Sequence, residues 1–325
     1  MGTYLVTGAA GFIGACLAKQ LLAQGHVVYG IDNLNETYDR RLKDWRIEQL
    51  VRADDFRFHP IDICDSGALE AFWKGKRFDA VLNLAARAGV RPSVLHPHEY
   101  FRTNLFGALN LLELARQDGV AKFVQASTSS LYGRHNPTPF REEADVSRPL
   151  SPYAASKGAA ELLCHSYHDL HAIDISVLRY FTVFGPAGRP DMSIFRFVQR
   201  ILEGRPVVLY GDGRQQRDFT YVEDIVAGTI AALKPVGFEV INLGSDRPIA
   251  MLEIIERIEG LTGQKAQLDR QPEAPADIRA TWASIGKAGR LLGWEPKVGL
   301  QDGLRACIEW YQSERDWASQ IDTSD

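Results

Sequence analysis

The chain of 325 residues is poor in cysteine and has no long apolar run. Its four cysteines, Cys16, Cys64, Cys164 and Cys307, are widely separated and form no CxxC pair, so neither a disulfide framework nor a metal site is expected. No stretch approaches the ~18 apolar residues of a membrane span. Cationic residues are not in excess, since 37 Lys and Arg stand against 41 Asp and Glu. Affinity for nucleic acid requires a cationic surplus and is therefore not expected either.

The N-terminus also lacks the basic and apolar segments of a secretion signal, because residues 1–7 lead directly into a predicted strand. Together with the unpaired cysteines, this predicts a reducing, cytoplasmic location. The remaining composition is ordinary for a folded protein. Hydrophobic residues make up 45% of the chain and charged residues 24%, which excludes intrinsic disorder.

Short apolar runs alternate with helical patterns over the first 180 residues, as in βαβ units around a parallel sheet. The strand-like run Glu239–Leu243 is expected to return to the same sheet. After Tyr180 the chain becomes rich in Gly, Pro and Arg. We therefore predict an α/β fold with a doubly wound parallel sheet, formed by residues 1–180 with about 222–248. A smaller, discontinuous region is predicted over 181–221 and 249–325.

Three glycines follow the first predicted strand at the spacing GxxGxxG. Gly8, Gly11 and Gly14 lie between a strand and a helix, where glycine permits a tight turn and close approach of the backbone to a pyrophosphate. Asp32 ends the second strand, where a carboxylate accepts hydrogen bonds from ribose hydroxyls and repels a 2′-phosphate. The pattern predicts a Rossmann-type site for NAD rather than NADP, with Asp62 near the adenine. The predicted cofactor contacts in these segments are Gly8, Gly11, Phe12, Ile13, Gly14, Asp32, Asn33, Asp62 and Ile63.

Tyr153 and Lys157 lie four residues apart in a helix that is predicted to begin at Ser151-Pro152. This spacing places both side chains on one helical face. A phenol has an ordinary pKa of about 10, and a neighbouring ammonium lowers that pKa by stabilising the phenolate. The pair therefore predicts a tyrosine that acts as a general base. A strand ending in the hydroxyls of residues 127–130 precedes it, at the sheet edge where ligands of open α/β folds bind.

These three motifs, in this order, resemble the extended short-chain dehydrogenase/reductase family, in particular its nucleotide-sugar epimerases and dehydratases. The resemblance covers nearly the whole chain. It implies an enzyme with NAD as cofactor, a UDP-sugar as substrate, and the catalytic residues Thr128, Tyr153 and Lys157. It also implies that Asn104 holds the architecture near the active site. The further cofactor contacts that it implies are Leu84, Ala85, Ala86, Asn104, Tyr153 and Lys157.

The residues after Thr128 distinguish the reactions of this family. Dehydratases resembling this chain have an Asp-Glu pair there and uronate decarboxylases a Glu, whereas this chain has Ser129 and Ser130. Segments 32–39, 85–93 and 179–192 are similar to UDP-glucuronate 4-epimerases, which favour Thr at the position of Thr182 and have the arginine that matches Arg189. The resemblance thus implies 4-epimerisation of UDP-glucuronate to UDP-galacturonate through a 4-keto intermediate. Three alternatives stay open: a 4-epimerase of neutral UDP-hexoses or UDP-N-acetylhexosamines, a uronate decarboxylase, and a non-catalytic dinucleotide sensor.

The segment from Arg179 to Arg217 contains seven arginines and only three acidic residues. Arginine suits bidentate contacts to phosphate or carboxylate. The resemblance assigns the diphosphate to Arg217 and Arg279 and the uracil to residues 208–210. It also implies a homodimer formed through helices over roughly 97–117 and 152–171. The predicted substrate contacts are Arg91, Thr128, Ser129, Ser130, Thr182, Arg189, Val208, Tyr210, Arg217 and Arg279.

Overall fold

Most strands of the protein belong to one parallel sheet. The structure, a computed structural model, describes residues 1–272 and 278–323. The strands of these ranges are β1 (Thr3–Thr7), β2 (Val27–Ile31), β3 (Phe56–His59), β4 (Ala80–Asn83), β5 (Lys122–Thr128), β6 (Asp174–Tyr180), β7 (Thr182–Phe184), β8 (Val207–Tyr210), β9 (Gln216–Tyr221), β10 (Phe238–Leu243), β11 (Pro248–Ala250) and β12 (Leu268–Gln271). Seven form the main sheet in the order β10-β6-β5-β4-β1-β2-β3, and the others form two small sheets, β11-β9-β7 and β12-β8.

The helices pack on both faces of the main sheet and around the small sheets. They are α1 (Phe12–Ala23), α2 (Arg40–Leu50), α3 (Ser66–Trp73), α4 (Val90–Leu95), α5 (Pro97–Phe101), α6 (Gly107–Gln117), α7 (Pro152–His171), α8 (Ser193–Leu202), α9 (Val222–Ala231), α10 (Met251–Thr262), α11 (Gly286–Leu292), α12 (Leu300–Ser313) and α13 (Arg315–Ala318). Within residues 1–272 and 278–323, none of them has the length and apolar character that crossing a membrane requires.

The doubly wound parallel α/β fold predicted from the sequence is confirmed. The order of β3, β2, β1, β4, β5 and β6 is that of a Rossmann sheet, and the chain reverses direction across the sheet between β1 and β4. The predicted strand at 239–243 lies in this sheet as β10, parallel to β6. Strand β5 continues into the hydroxyl-rich residues 127–130, because Ser127 and Thr128 still pair with β6.

Helix α7 begins where its capping sequence predicts. The Ser151 hydroxyl accepts a hydrogen bond from the Ala154 N–H (3.2 Å), and Pro152 occupies the first turn, where its missing N–H costs no hydrogen bond. Helix α7 packs against β5 and β6. Its first two turns therefore lie beside the carboxyl end of β5.

A separate apolar cluster fills the space among α8, α10 and α12, with Phe197, Ile254 and Tyr311 among its buried members. These helices belong to the smaller region predicted from the sequence. Residues 273–277 and 324–325 of that predicted region lie outside the described residues. The clusters on the two faces of the main sheet draw instead on α1, α3, α6 and α9.

Candidate active site

A cavity of about 370 Å³ opens at the carboxyl ends of β1, β2, β4 and β5, where the strand order reverses. Ligands of open α/β sheets bind at this position. The cavity brings together most of the sequence-predicted site residues, from the glycine turn to the helix that carries Tyr153. Those that line it are Gly8, Gly11, Phe12, Ile13, Gly14, Asp32, Asn33, Asp62, Ile63, Leu84, Ala85, Ala86, Thr128, Ser129, Ser130, Tyr153, Lys157, Thr182 and Arg189.

The glycine turn has the geometry that a bound pyrophosphate requires. Gly8 has φ +68°, and the Gly11 N–H donates to the Gly8 carbonyl at 2.9 Å. A Cβ on Gly14 would lie 2.1 Å from the Gly8 oxygen, so the helix can pack against the turn only with glycine there. No side chain caps α1 at Gly11. Its first N–H groups have no acceptor within the helix and can bind an anion. These residues fit a dinucleotide.

Asp32 is buried at the end of β2 and holds the neighbouring turn in place. Its carboxylate accepts from the Ala10 N–H (3.2 Å) and the Leu34 N–H (2.8 Å). The Lys43 ammonium lies 3.7 Å from Asp32 Oδ1. Burial lowers the pKa of Lys43, whereas the Asp32 charge raises it and opposes that effect. The cavity therefore contains, beside Asp32, a cation that the sequence motif does not predict.

Asn33 and Asp62 meet at the adenine end of the predicted site. The Asn33 amide donates to Asp62 Oδ2 at 3.1 Å, and the Cys64 N–H donates to Asp62 Oδ1 at 2.8 Å. Burial raises the pKa of the Asp62 carboxyl, but these hydrogen bonds outweigh that effect and leave the pKa below its ordinary value. Asp62 is thus an ionised acceptor at neutral pH.

Tyr153 and Lys157 lie on the same face of α7, as predicted. Lys157 is 3% exposed, and its ammonium donates to the Ala126 carbonyl at 2.9 Å. Burial lowers the pKa of Lys157 to about 8, although the nearby Glu161 carboxylate raises it. Burial also raises the pKa of the Tyr153 phenol above its ordinary value.

The groups that lower the Tyr153 pKa are different from the one that the sequence suggested. They are the Thr128 hydroxyl, through a hydrogen bond, and the Arg189 guanidinium, through its charge. The four-residue spacing predicts that Lys157 lowers the Tyr153 pKa, but the Lys157 ammonium donates to the Ala126 carbonyl instead. The tertiary structure therefore brings Arg189, from a distant segment, into the cavity that Tyr153 also lines.

The hydroxyls at the carboxyl end of β5 form a short network in the cavity wall. The Ser130 N–H donates to Thr128 Oγ1 at 3.1 Å, and the Ser130 hydroxyl lies within hydrogen-bonding distance of the Thr128 hydroxyl, with 3.2 Å between the two oxygens. Arg189 forms a bidentate pair with Asp191, with 3.0 Å between Arg189 Nε and Asp191 Oδ1. Hydroxyls and a guanidinium thus lie around Tyr153, without a carboxylate at positions 129 and 130.

Asn104 is buried outside the cavity wall and connects two of its segments. It lies in a π-helical turn, Arg102–Phe106, between α5 and α6. Its amide donates to the Arg87 carbonyl (3.0 Å) and to Ser156 Oγ (2.9 Å), and its oxygen accepts from the Arg87 N–H (2.8 Å). Such π turns occur frequently at functional sites. Asn104 holds the loop after β4 against α7, between Tyr153 and Lys157.

The residues predicted to bind the UDP group lie outside the cavity wall, in the smaller region and on α4. The Arg91 guanidinium stacks on the Tyr210 ring, with 4.2 Å from Cζ to the ring centroid. Arg217 Nη1 donates to the Ile278 carbonyl at 2.7 Å. The Arg279 carbonyl accepts from the Gln216 N–H at 2.8 Å. Arg91 and Tyr210 are thus brought together, as are the segments of Arg217 and Arg279. Val208 lies in β8, the strand that also contains Tyr210.

Comparison with known proteins agrees with this geometry. The sequence pattern of the NAD dependent epimerase/dehydratase family matches residues 4–244. The chain belongs to this family. A curated protein described as UDP-glucuronate 4-epimerase, from Thermodesulfobacterium geofontis, is 52% identical over 311 residues, which are 95% of this chain and 96% of that protein.

Solved structures of family members superpose over nearly the whole chain. The UDP-glucuronic acid 4-epimerase of Bacillus cereus, in complex with UDP-glucuronic acid and NAD, has a TM-score of 0.89 and 38% identity, covering 96% of this chain and 99% of that one. The UDP-glucose 4-epimerase of Thermotoga maritima, with UDP-glucose, has the same TM-score at 32% identity and the same coverage. The family fold alone therefore does not separate the charged from the neutral sugar.

The sequence interpretation missed two buried cations of α2, Lys43 and Arg46. Both lie on the helical face that also buries Leu42 and Leu50. Charged residues are rarely buried without a partner. Two cations at i and i+3 on an apolar helical face therefore indicate that this face contacts polar groups of another segment.

Proposed function

We propose that this protein catalyses the NAD-dependent 4-epimerisation of UDP-glucuronate to UDP-galacturonate, as an isomerase that uses Tyr153, Thr128 and Lys157. The observation that carries the proposal is the placement of Arg189 and the 128–130 hydroxyls around Tyr153 in one cavity. A guanidinium and hydroxyls bind a sugar carboxylate well. A neutral sugar has no group that requires the arginine.

In this proposal Tyr153 removes the proton of the C4 hydroxyl and returns it after the sugar has turned over. Thr128 stabilises the phenolate through its hydrogen bond, and the Arg189 charge does so through space. The Lys157 ammonium, held by the Ala126 carbonyl, binds ribose hydroxyls. NAD, when bound, would supply the reversible two-electron oxidation of C4. Since each cycle regenerates NAD, it need not be added.

The intermediate creates a second requirement. A 4-keto uronate is a β-keto acid and loses CO2 when its carboxylate bond aligns with the carbonyl π system. We propose that Thr128, Ser129, Ser130, Thr182 and Arg189 hold the carboxylate away from that alignment. All five residues line the same cavity.

The remaining site roles belong to the same proposal. The pyrophosphate is bound by the first residues of α1 and by Gly8, Gly11 and Gly14. The ribose is bound by Asp32 and Asn33, and the adenine is bound by Asp62. Arg91, Tyr210, Arg217 and Arg279 hold the UDP group with Val208. We also propose that residues 1–180 with 222–248 form the cofactor domain and that 181–221 with 249–325 form the sugar-nucleotide region. The membership of β10 in the main sheet and the separate cluster of α8, α10 and α12 support this division.

A cytoplasmic homodimer completes the proposal. The four cysteines are all free thiols, which suits a reducing compartment. Phe106 and Leu162 are 56% and 74% exposed on the helices expected to pair with their symmetry mates. Burying such exposed apolar side chains in an interface removes apolar surface from water and favours association. Sedimentation of the wild-type chain and of Leu162→Glu at micromolar concentration tests the dimer, and a wild-type monomer contradicts it.

Proton NMR tests the proposed reaction directly. Purified protein is incubated with UDP-glucuronate and no added NAD, and the anomeric and H4 signals are followed. UDP-galacturonate is the expected product. A UDP-pentose product would identify a decarboxylase instead. An unchanged spectrum, even after NAD is supplied, contradicts the proposal, and turnover of UDP-glucose or UDP-N-acetylglucosamine in the same assay would identify a neutral-sugar epimerase.

A further inference from the structure

Arg46 is a buried guanidinium whose hydrogen-bonding partners among residues 1–272 and 278–323 are all uncharged. It is 3% exposed in α2. Its acceptors in this described part of the chain are two segments of backbone and one phenol. A charge this deeply buried is costly unless its donors are satisfied. The five N–H donors of arginine, in a rigid fork, can satisfy several carbonyls at once.

The two backbone segments that Arg46 connects are far apart in sequence and both belong to the site. On one side, Nη1 donates to the Ala10 carbonyl inside the glycine turn at 3.1 Å. On the other, Nη2 donates to the Ala187 carbonyl at 2.6 Å and to the Gly188 carbonyl at 3.3 Å. The Ala10 N–H is bound by Asp32. Asp32 thus binds the N–H of Ala10 and Arg46 binds its carbonyl, so both side chains hold the same residue of the glycine turn.

The second segment leads directly into Arg189. We call residues 185–192, which connect β7 to α8, the Arg189 loop. Ala187 has φ +50° in this loop, a conformation that residues with a Cβ rarely adopt. Its carbonyl receives two hydrogen bonds from Arg46, from Nε at 3.2 Å and from Nη2 at 2.6 Å. Arg46, which also binds the glycine turn, therefore stabilises the unfavourable backbone conformation of Ala187.

Tyr38 extends the same contact toward the cavity. Its hydroxyl accepts from Arg46 Nη1 at 2.6 Å, and its ring lies beside the Arg46 guanidinium. Tyr38 also lines the cavity with Arg189. Arg46 itself does not line the cavity, so any influence on the sugar must act through its neighbours.

We propose that Arg46 is a positioning residue that fixes the Arg189 loop against the glycine turn. This contact holds Arg189 in the cavity that Tyr153 also lines. This inference rests on the proposed function, because it assigns Arg46 to the binding of the sugar carboxylate through Arg189. Lysine cannot replace it, since a single ammonium has no planar fork that reaches both carbonyl groups.

The test compares four variants: Arg46→Lys, Arg189→Ala, the double variant, and Arg40→Lys as a control on the exposed face of the same helix. Arg46→Lys is expected to lower kcat/KM for UDP-glucuronate by about 10-fold or more, because small displacements of positioning groups are costly. In the Arg189→Ala background the same change should cost less than about threefold. Arg40→Lys should match the wild type.

Hydrogen exchange provides a readout that does not depend on catalysis. Arg46→Lys is expected to increase amide exchange in residues 185–192, and Arg40→Lys is not. Should the Arg46→Lys chain fail to fold, Tyr38→Phe removes one acceptor from Arg46 and should increase the same exchange to a smaller extent. Unchanged exchange in 185–192, or equal losses in the wild-type and Arg189→Ala backgrounds, overturns the inference. A wild-type chain without UDP-glucuronate turnover contradicts the proposed function alone, because the exchange measurement still tests the contact.

Discussion

Glu161 and Arg179 form a buried, two-point ion pair on the face of α7 that also carries Tyr153 and Lys157. Arg179 Nε donates to Glu161 Oε1 at 3.0 Å and Nη2 to Oε2 at 2.7 Å, and both side chains are less than a tenth exposed. The Ser127 hydroxyl donates to the same carboxylate. Glu161 stands one turn after Lys157 and raises the pKa of that lysine. The pair thus connects α7 to β5 and β6 directly beneath the proposed catalytic residues.

Glu161→Gln is expected to destabilise the protein strongly. The change leaves the Arg179 charge buried without its counterion, which costs about 3 kcal/mol or more. The control Glu253→Gln removes the half-exposed partner of Arg257 in α10 and should change stability by about 0.5 kcal/mol or less. Urea unfolding of both variants measures the difference. Equal midpoints for the two variants would show that the buried pair is not structurally important.

The activity of the wild-type enzyme is expected to fall as the pH rises above about 8. Burial lowers the pKa of Lys157 to about 8, so its ammonium is present below that pH and lost above it. The proposed role in holding the ribose requires the charged form. In Lys157→Arg the side chain stays charged, and the alkaline limb should disappear even if the maximal rate is lower. Measurement of kcat against pH tests this prediction. If Lys157→Arg keeps the same alkaline limb, the loss of activity is caused by the titration of another group.

Gly14→Ala and Gly260→Ala are expected to have opposite effects although both residues lie in helices. A Cβ at position 14 would lie 2.1 Å from the Gly8 oxygen, whereas one at position 260 meets no atom within 4 Å. Gly14→Ala should therefore destabilise the protein by about 1 to 3 kcal/mol and lower its content of bound NAD. Gly260→Ala should stabilise it by about 0.5 to 1 kcal/mol. Thermal melting and the NAD content of the purified protein check both, and normal NAD content in Gly14→Ala contradicts the assigned role of the turn.

Arg189→Ala is expected to impair the reaction of the charged sugar selectively. Hydrogen bonds to charged groups contribute about 1.5 to 3 kcal/mol, so kcat/KM for UDP-glucuronate should fall by roughly 10- to 100-fold. A UDP-pentose should also appear, because the carboxylate is no longer restrained. Any turnover of UDP-glucose should change much less. Product analysis by NMR would falsify the carboxylate role if UDP-glucuronate were still epimerised at the wild-type rate without decarboxylation.

Tyr153→Phe removes the proposed base and should lower kcat by about 100-fold or more. Helix α7 should be unaffected, because Ser151 and Pro152 rather than Tyr153 determine where it begins. Far-UV circular dichroism provides that control. A kcat within a few fold of the wild type would require a different base.

Local patterns in the sequence were sufficient for the parts of the protein whose neighbours are close in the chain. The glycine spacing predicts the turn between β1 and α1 because the clash that excludes other residues, Gly14 against Gly8, occurs within that turn. Ser151-Pro152 predicts the start of α7 and thereby places Tyr153 and Lys157 on one face. The alternation of short apolar runs with helical patterns predicts the parallel sheet, including β10. Such runs are typical of strands that are buried on both faces of a parallel sheet.

The segment from Pro97 to Gln117, which a single helical pattern predicts to be one helix, is divided by a π-helical turn. The periodicity predicts that Leu105, Leu109 and Leu112 face the interior, but only Leu112 is fully buried and the other two are half-buried. The π-helical turn Arg102–Phe106 rotates the helix and directs Asn104 inward, toward Ser156. Its hydrogen bonds to Arg87 and Ser156 come from other segments, which a single helical pattern does not reveal.

The sequence by itself determined the fold, the cofactor turn and the identity of the proposed base, because each depends on residues a few positions apart. Only the tertiary structure decided what surrounds that base. It placed Arg189 beside Tyr153, directed Lys157 to the Ala126 carbonyl, and put Arg46 between the glycine turn and the Arg189 loop. The physical reason is that burial and charge act through space, so the pKa of a side chain depends on neighbours that the chain brings together only when it folds.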